Sequence, residues 1–284
     1  MTSLRTKLAL ALVVALAAGC GDDPDHPPMP DGGPPDGSAP DGSPGDTMGS
    51  SDTAPVTQSF VILHTNDLHS HLMGFGPEAD YSPATPGDDG TTGGLARLAA
   101  QIAAARSAAG TTPVLLLDSG DFTMGTPFHM LGLTASAELT EMGKLKYDAI
   151  TLGNHEFDWG PKALAGIVGA AVKNGFSVPI VATNMNFSAM DPGDDDLEKL
   201  LMSNVLRRKF IKDVGGIKVG IFGLMGKDAD TVSPLKKPVT IADIAVASRA
   251  AVKELRETDK VDVVIALSHS GTDAMGMGED RALA

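Results

Sequence analysis

Short apolar runs alternate along the chain with stretches in which apolar residues recur at helical spacing. The run from Phe60 to Leu63 has the length of a buried strand, and Leu95, Leu98 and Ile102 then recur on one face of a helix. On the same grounds we predict strands over residues 60–63, 114–117, 149–152, 179–182 and 261–267, and helices over residues 93–109, 134–144, 161–173 and 241–257. Strands and helices in this alternation indicate an α/β fold with a largely buried sheet.

Three local signals add detail to this pattern. Thr134 is a candidate N-cap for the second predicted helix, and Pro161 stands in the first turn of the third, where proline is favoured. Residues 206–213 and 218–224 flank Gly215-Gly216, which predicts a β-hairpin.

The N-terminus has the pattern of a secretory signal. Arg5 and Lys7 precede an apolar run over residues 8–18, and small residues then lead to Cys20. The run is shorter than the ~20 apolar residues that a membrane-spanning helix needs. The Leu-Ala-Ala-Gly-Cys string resembles a bacterial lipobox, although Leu16 stands one place earlier than usual. We expect residues 1–20 to be a lipoprotein-type signal peptide and Cys20 to be lipidated, with a hydrophobic N-terminal helix of the fold as the alternative.

Residues 21–57 have the composition of a tether. They are rich in Asp, Pro and Gly and contain no Lys or Arg. Such a segment cannot bury enough apolar area to offset its ordering entropy, so we expect it to be disordered and extended. Its repeated Pro-Asp-Gly strings leave calcium binding as an alternative. The predicted protein is therefore exported and held by its lipid anchor at a membrane, facing the periplasm or the cell exterior.

The composition restricts the function of the remaining domain, which we place at residues 58–284. The chain has 284 residues, a net charge of −14 and 42% hydrophobic residues, which suffices for a real core. A nucleic-acid-binding surface is not expected, because phosphate backbones require clustered Lys and Arg. A small phosphate substrate stays compatible with this charge, since metal ions can reverse the potential of an acidic site. A single cysteine excludes an internal disulfide.

Polar residues with metal-binding chemistry follow four of the predicted strands. Asp67 and His69 lie one residue apart, so that both can point to one side of an extended segment. Asp121 follows a glycine, which allows close approach of the backbone, and its carboxylate can bridge two ions ~3.5–4 Å apart. Asn154 offers a neutral oxygen, and His269 is a candidate ligand of a second metal. These oxygen and nitrogen ligands suit zinc, manganese or iron, and they belong where α/β folds gather their active-site residues.

One further pair has the pattern of acid–base chemistry. Asp158 follows His155 by three residues and can accept its ring N–H, which fixes the tautomer and favours the imidazolium. We therefore predict that His155 stabilises the transition state and assists the leaving oxygen, with Asp158 orienting it.

The other polar residues of these motifs are interpreted more simply. A structural role is preferred over metal ligation for His64 and His71, and Asp118 is interpreted as structural or as a partner of a ligand. No chemistry is assigned to His129 or Glu156.

Four strings together carry a family resemblance: LHTNDLH at 63–69, GD at 120–121, GNHEFD at 153–158 and SH at 268–269. They resemble the calcineurin-like catalytic domain of bacterial 5′-nucleotidases and 2′,3′-cyclic phosphodiesterases, from about residue 59 to the end. The resemblance implies a four-layer α/β/β/α sandwich, two divalent metal ions and a water between them that attacks phosphorus in line. It also implies Asp67 and His69 on one metal, Asn154 and His269 on the other, Asp121 as the bridge, and His155 with Asp158 as the catalytic pair.

The resemblance implies hydrolysis of phosphate esters, with nucleotides as substrates. In the family a Gly-His-x-His or Gly-His-x-Gln string and a nucleoside-gripping domain follow, whereas this chain ends at Ala284. We therefore expect the domain to be partial at its C-terminus. Two alternatives stay open: a metal-binding surface lipoprotein without turnover, because its site is incomplete, and a thiosulfohydrolase-like relative. The sequence does not indicate the oligomeric state.

Overall fold

The computed structural model describes residues 9–15, 58–76, 91–271 and 278–283. The predicted lipidation site Cys20 and the predicted tether over residues 21–57 lie outside these ranges. Within them, no helix combines the length and the apolar character needed to cross a membrane.

Eleven strands lie within the described ranges. In chain order they are β1 (Ala9–Ala15), β2 (Gln58–Thr65), β3 (Val114–Asp118), β4 (Ala149–Thr151), β5 (Ile180–Val181), β6 (Met185–Asn186), β7 (Leu206–Arg207), β8 (Phe210–Val214), β9 (Ile217–Met225), β10 (Thr240–Ile241) and β11 (Val263–His269). Each of the five strands predicted outside the hairpin is confirmed. They were predictable because a strand buried on both faces consists of a continuous run of apolar residues.

The strands form two main sheets. The larger sheet has the order β1-β2-β3-β4-β5-β7, and all of its neighbours are parallel. The smaller sheet has the order β11-β9-β8, with β9 parallel to β11 and antiparallel to β8. Strands β6 and β10 pair separately as a short antiparallel ribbon.

The edge strand β1 comes from the predicted signal peptide. Ala9–Ala15 pairs with β2 in parallel register, from Ala9 beside Gln58 to Ala15 beside His64. The alternative of a hydrophobic N-terminal helix is not what the structure shows. Cleavage of the signal stays a prediction, and it would leave β2 as the edge of the larger sheet.

Eight α-helices lie within the described ranges, and the longer ones pack against the sheets. They are α1 (Leu95–Ala109), α2 (His129–Ala135), α3 (Ala137–Lys144), α4 (Gly160–Lys173), α5 (Asp195–Met202), α6 (Lys227–Thr231), α7 (Ile244–Lys253) and α8 (Glu279–Leu283). A π-helical turn, Glu254–Thr258, continues α7, and 3₁₀ turns occupy His155–Phe157, Pro192–Asp194 and Pro234–Lys236.

Side chains of β3 show how the layers are stacked, because successive residues of a strand face opposite sides of its sheet. Leu115 and Leu117 join a buried cluster with residues of the smaller sheet, such as Ile221. Leu116 points the other way, into a cluster that includes Ile102 of α1. A third cluster packs the far face of the smaller sheet against α7 and its π-helical turn. The order helix, sheet, sheet, helix is the four-layer sandwich that the resemblance implies.

Two predicted helix boundaries were wrong. Thr134 is not an N-cap, because it lies inside α2, and the chain turns at Ser136 in a left-handed conformation before α3 begins. Ile241 belongs to β10 rather than to the last long helix, which begins at Ile244 after an N-cap by Asp243. In both places the backbone leaves the helical conformation, although the apolar residues of the sequence keep helical spacing.

The predicted hairpin is confirmed in part. Strands β8 and β9 pair around Gly215 and Gly216, both of which have positive φ. The first arm, however, is divided: Leu206–Arg207 pairs with β5 of the larger sheet, and only Phe210–Val214 pairs with β9. Helix α5 was not predicted; Leu197 is fully buried there, and Leu200 and Leu201 pack against the same cluster.

Candidate metal centre

Loops from both sheets converge at the carboxyl ends of their strands. The larger sheet contributes the segments after β2, β3 and β4, and the smaller sheet contributes the end of β11. These segments bring together all of the metal ligands predicted from the sequence: Asp67, His69, Asp121, Asn154 and His269.

The loop after β2 is not extended as predicted. Asp67 has φ 52° and His69 has φ 45°, which are left-handed conformations. Their backbone N–H groups donate to the carbonyl oxygens of Gly120 and Asp121, each at 3.0 Å, so the loop is held against the one that follows β3. Left-handed conformations of non-glycine residues cost roughly 1–3 kcal/mol each and gather at functional sites. Tertiary hydrogen bonds, which sequence spacing does not reveal, therefore bring the two side chains together.

Asp121 lies at the centre of the site. One group of candidate ligand atoms comes from His69, Asp121 and His155, and a second comes from Asp67, Asp121 and His269; within each group the atoms lie within 4.8 Å of one another. Asp121 is common to both groups and 3% exposed. Imidazole nitrogen with carboxylate oxygen is a donor set that suits zinc or manganese. The residues present therefore fit divalent metal binding.

His269 shows that this environment favours a cation. Its Nε2 lies 3.0 Å from Asn154 Oδ1 and 3.2 Å from Asp121 Oδ2, and its Nδ1 donates to the Ser119 carbonyl at 2.9 Å. Burial alone would lower the pKa of His269, but the hydrogen bond and charge of Asp121 raise it to about 9. A carbonyl acceptor on Nδ1 is the usual arrangement of a metal-bound histidine, which leaves Nε2 for the metal.

Asp67 and His69 form a similar pair. His69 Nε2 lies 3.6 Å from Asp67 Oδ1. The Asp67 carboxylate accepts from the His69 ring, which raises the pKa of His69. Partial burial would raise the pKa of Asp67, but hydrogen bonds from His69 and Asn66 outweigh it and lower that pKa. The carboxylate is therefore held in the ionised form that a metal ligand requires.

The predicted catalytic pair is in contact. His155 Nδ1 lies 2.7 Å from Asp158 Oδ2, across the 3₁₀ turn. The His155 backbone N–H donates to Asp121 Oδ1 at 2.8 Å, and the His155 and His69 rings meet edge to face at 5.2 Å. Because Asp158 occupies Nδ1, the ring nitrogen left for chemistry is Nε2. The proximity to His69 and Asp121 also makes metal ligation by His155 possible, which the sequence reasoning did not favour.

Comparison with known proteins identifies the family. Residues 60–283 match the family described as calcineurin-like phosphoesterase. The chain belongs to this family. It is 31% identical to the trifunctional nucleotide phosphoesterase YfkN of Bacillus subtilis, covering 74% of this chain and 14% of that one. It is 33% identical to human 5′-nucleotidase over 74% of this chain and 33% of the relative.

A solved structure supports the same fold. The 5′-nucleotidase precursor of Thermus thermophilus superposes with a TM-score of 0.56 and 29% identity, covering 73% of this chain and 36% of that one. The calcineurin-like phosphoesterase described here thus spans about a third or less of the length of these relatives.

Glu156 is the functional residue that sequence reasoning missed in this calcineurin-like phosphoesterase. It is 3% exposed, and its carboxylate accepts the backbone N–H groups of Asp121, Gly153 and Thr123 at 2.6–3.1 Å, together with the Thr123 hydroxyl. Burial, followed by the nearby charge of Asp121, raises the pKa of Glu156. Glu156 therefore ties the loop after β3 to the loop after β4. The sequence signal was its place in the GNHEFD string at 153–158, which did not reveal this role.

Two glycines allow these loops to approach each other. A Cβ on Gly153 would lie 2.2 Å from Asp121 Oδ1, and a Cβ on Gly120 would lie 2.5 Å from the Gly153 nitrogen. Gly120 also has φ 95°, a conformation that disfavours other residues. The glycine before Asp121 thus allows close approach to the loop after β4, while its predicted approach to metal ions stays a prediction.

The structural interpretations of the remaining residues agree with their contacts. Asp118 is fully buried and accepts from the Thr65 hydroxyl at 2.6 Å, and burial raises its pKa to about 8. His64 contacts the Ser119 hydroxyl at 2.8 Å, and burial lowers its pKa. His71 lies 3.2 Å from the Leu68 carbonyl.

Proposed function

We propose that this chain is an exported metallophosphoesterase that hydrolyses phosphate monoesters of nucleotides outside the cytoplasm. The observation that carries the proposal is that Asp121 belongs to two groups of candidate ligands at the strand ends of a phosphoesterase fold. Similarity to proteins named 5′-nucleotidase supports nucleotides as the substrate class.

Two divalent ions would be held by the residues that the sequence predicted. Asp67 and His69 would hold one ion, Asn154 and His269 the other, and Asp121 would contact both. Ions at such a site polarise a phosphoryl oxygen and lower the pKa of a water. The raised pKa of His269 supports the assignment, because the site already favours an added positive charge without a metal.

The protein's own acid–base chemistry would be supplied by His155. Asp158 accepts from Nδ1 at 2.7 Å, which orients the ring and leaves Nε2 facing away from Asp158. Nε2 can then donate a hydrogen bond to the phosphoryl group and a proton to the departing ester oxygen. The buried carboxylate of Asp121 holds the His155 backbone in place during this step.

Export and anchoring are the remaining parts of the proposal. They rest on the signal-like pattern of residues 1–20 and on Cys20 at its end. Mass spectrometry of the protein purified from bacterial membranes should find a lipidated N-terminal Cys20, and Cys20→Ala should release the protein from the membrane fraction. Retention of that variant in the membrane would contradict the anchor.

One assay tests the function. Metal content and phosphate release from AMP and from 2′,3′-cyclic AMP are measured on the purified chain, with thiosulfate-ester hydrolysis measured in parallel. We expect divalent metal and phosphate release from AMP. Bound metal without any phosphate release would favour the metal-binding lipoprotein, and hydrolysis of the sulfur ester alone would favour the thiosulfohydrolase.

A further inference from the structure

Ser70 connects the candidate metal centre to a part of the fold that has no role in the chemistry described so far. It directly follows His69, is 1% exposed and has φ 51°, so that Asp67, His69 and Ser70 are all left-handed. Residues other than glycine keep such conformations only where the surrounding structure fixes them. The contacts of Ser70 therefore influence where the His69 ring lies.

Each polar group of Ser70 has a hydrogen-bond partner. Its backbone N–H donates to the Phe122 carbonyl at 3.0 Å, and its carbonyl accepts from the Thr126 hydroxyl at 2.7 Å. Its own hydroxyl donates to Glu138 Oε1 at 2.7 Å. The backbone N–H thus joins this loop to the segment after β3, whereas the side chain joins it to helix α3.

Glu138 is an unusual residue for its place in the fold. It lies in the first turn of α3 and is 4% exposed, and Gly132 of α2 leaves room for its carboxyl group. Among the described residues, Oε2 of Glu138 has no hydrogen-bond partner. Burying a carboxyl group with so few partners is unfavourable, and burial accordingly raises the pKa of Glu138. Places where a protein departs from such packing rules are commonly functional.

We propose that Glu138 is a positioning residue, which holds His69 at the metal centre through the hydroxyl of Ser70. The proposal rests on the metal centre of the proposed function and adds a residue that lies outside it. Without this hydrogen bond, the left-handed backbone at Ser70 loses a support, and the His69 ring can leave the place that it shares with Asp121. The residue that orients a ligand from behind contributes to metal affinity without contacting the metal.

Metal affinity tests the proposal with variants that remove or keep the hydrogen bond. Glu138→Met removes the acceptor at similar length, Ser70→Ala removes the donor, and Glu138→Gln keeps one acceptor oxygen. Dissociation constants for zinc and for manganese are measured by competition with a chelating dye. We expect Glu138→Met and Ser70→Ala to bind metal roughly tenfold more weakly than the wild type, the lower end of the loss for a partner of a metal ligand. Glu138→Gln should bind metal almost as the wild type does.

Two controls separate positioning from a general effect on the fold. Glu141→Met makes the same change on the same helix, where Glu141 pairs with Lys144 at the surface, and it should leave metal affinity unchanged. The double variant Ser70→Ala with Glu138→Met should bind metal no more weakly than either single variant, because both remove one hydrogen bond. In Glu138→Met, phosphate release from AMP should need roughly tenfold more metal for half its maximum and then approach the wild-type rate.

The outcomes separate the positioning role from the proposed function. Wild-type metal affinity in Ser70→Ala, which also decides the matter if Glu138→Met does not fold, would overturn the positioning role and leave the metal centre standing. A loss in Glu138→Gln equal to that in Glu138→Met would overturn it too, because Gln keeps the acceptor. Metal affinity that depends on this hydrogen bond in a chain that hydrolyses no phosphoester would reject the function while keeping the positioning role. A wild type that binds neither zinc nor manganese would reject both.

Discussion

Asp121 contacts the candidate site through both of its carboxylate oxygens. Oδ1 accepts from the His155 backbone at 2.8 Å, and Oδ2 lies 3.2 Å from His269 Nε2. Asp121→Asn keeps the volume and one acceptor oxygen but removes the charge. We expect kcat/KM for AMP to fall by roughly 100-fold or more, because losing even an outer partner of a metal ligand costs roughly 10–100-fold. Bound metal, measured by elemental analysis, should fall as well.

The matched control for this charge removal is Asp196→Asn. Asp196 is exposed and pairs with Lys199 on the surface of α5, so its variant should keep both metal and activity. A near-normal rate in Asp121→Asn would remove this carboxylate as the shared ligand.

Glu156 allows a second prediction, about stability. Its carboxylate receives three backbone N–H groups and one hydroxyl, whereas Gln has a single acceptor oxygen and would turn an NH₂ group toward these donors. Glu156→Gln should lower the free energy of unfolding by about 1–3 kcal/mol, the cost of an unsatisfied buried group. Urea unfolding of the metal-free protein measures it, with the exposed Glu257→Gln as the control. A change below about 0.5 kcal/mol would show that Glu156 does not tie the loops together.

At the scale of single elements, a side-chain hydrogen bond stabilises the start of helix α7. At the N-terminus of α7 the Asp243 side chain accepts from the Val246 N–H at 2.9 Å. Asp243→Ala should therefore lower the free energy of unfolding by about 1 kcal/mol. Asp243→Asn, which preserves the acceptor, should stay close to the wild type. If both variants unfold alike in urea, the cap does not stabilise this helix.

The helices and strands that could be predicted from the sequence are those whose buried residues form a long continuous or periodic apolar pattern. Strand β3 is an example, since Leu115, Leu116 and Leu117 are buried on both faces of the sheet. Helix α5 was missed although Leu197, Leu200 and Leu201 have helical spacing, because an eight-residue helix shows only about two turns of that pattern. The break at Ser136 is also invisible, because apolar spacing does not report a left-handed turn.

The candidate site shows the same division. That the candidate ligands lie together was predictable, because each follows a strand and the carboxyl ends of parallel strands meet at one edge of the sheet. The left-handed conformations of Asp67 and His69 were not, since they accompany hydrogen bonds to residues far along the chain. Glu156 was missed for the same reason, because its partners are backbone N–H groups, which leave no mark in residue types.

At the scale of the whole molecule, the proposed metal centre joins the two sheets. Asp67, Asp121 and Asn154 follow strands of the larger sheet, while His269 ends β11 of the smaller sheet. An apolar cluster packs between the two sheets. His269 adds polar contacts from the smaller sheet to Asp121 and Asn154, which follow strands of the larger sheet. Metal ions shared by these residues would add bonds between the layers that exist only in the folded protein.

Removing metal should therefore destabilise the fold as a unit. A ligand that binds only the folded state adds about 2.7 kcal/mol at a free concentration 100 times its dissociation constant. Dialysis against a chelator should lower Tm, and adding back zinc or manganese should restore it. In His269→Ala this Tm shift should shrink, because the contribution from the smaller sheet is gone. An equal chelator effect in wild type and His269→Ala would show that the ions do not hold the two sheets together.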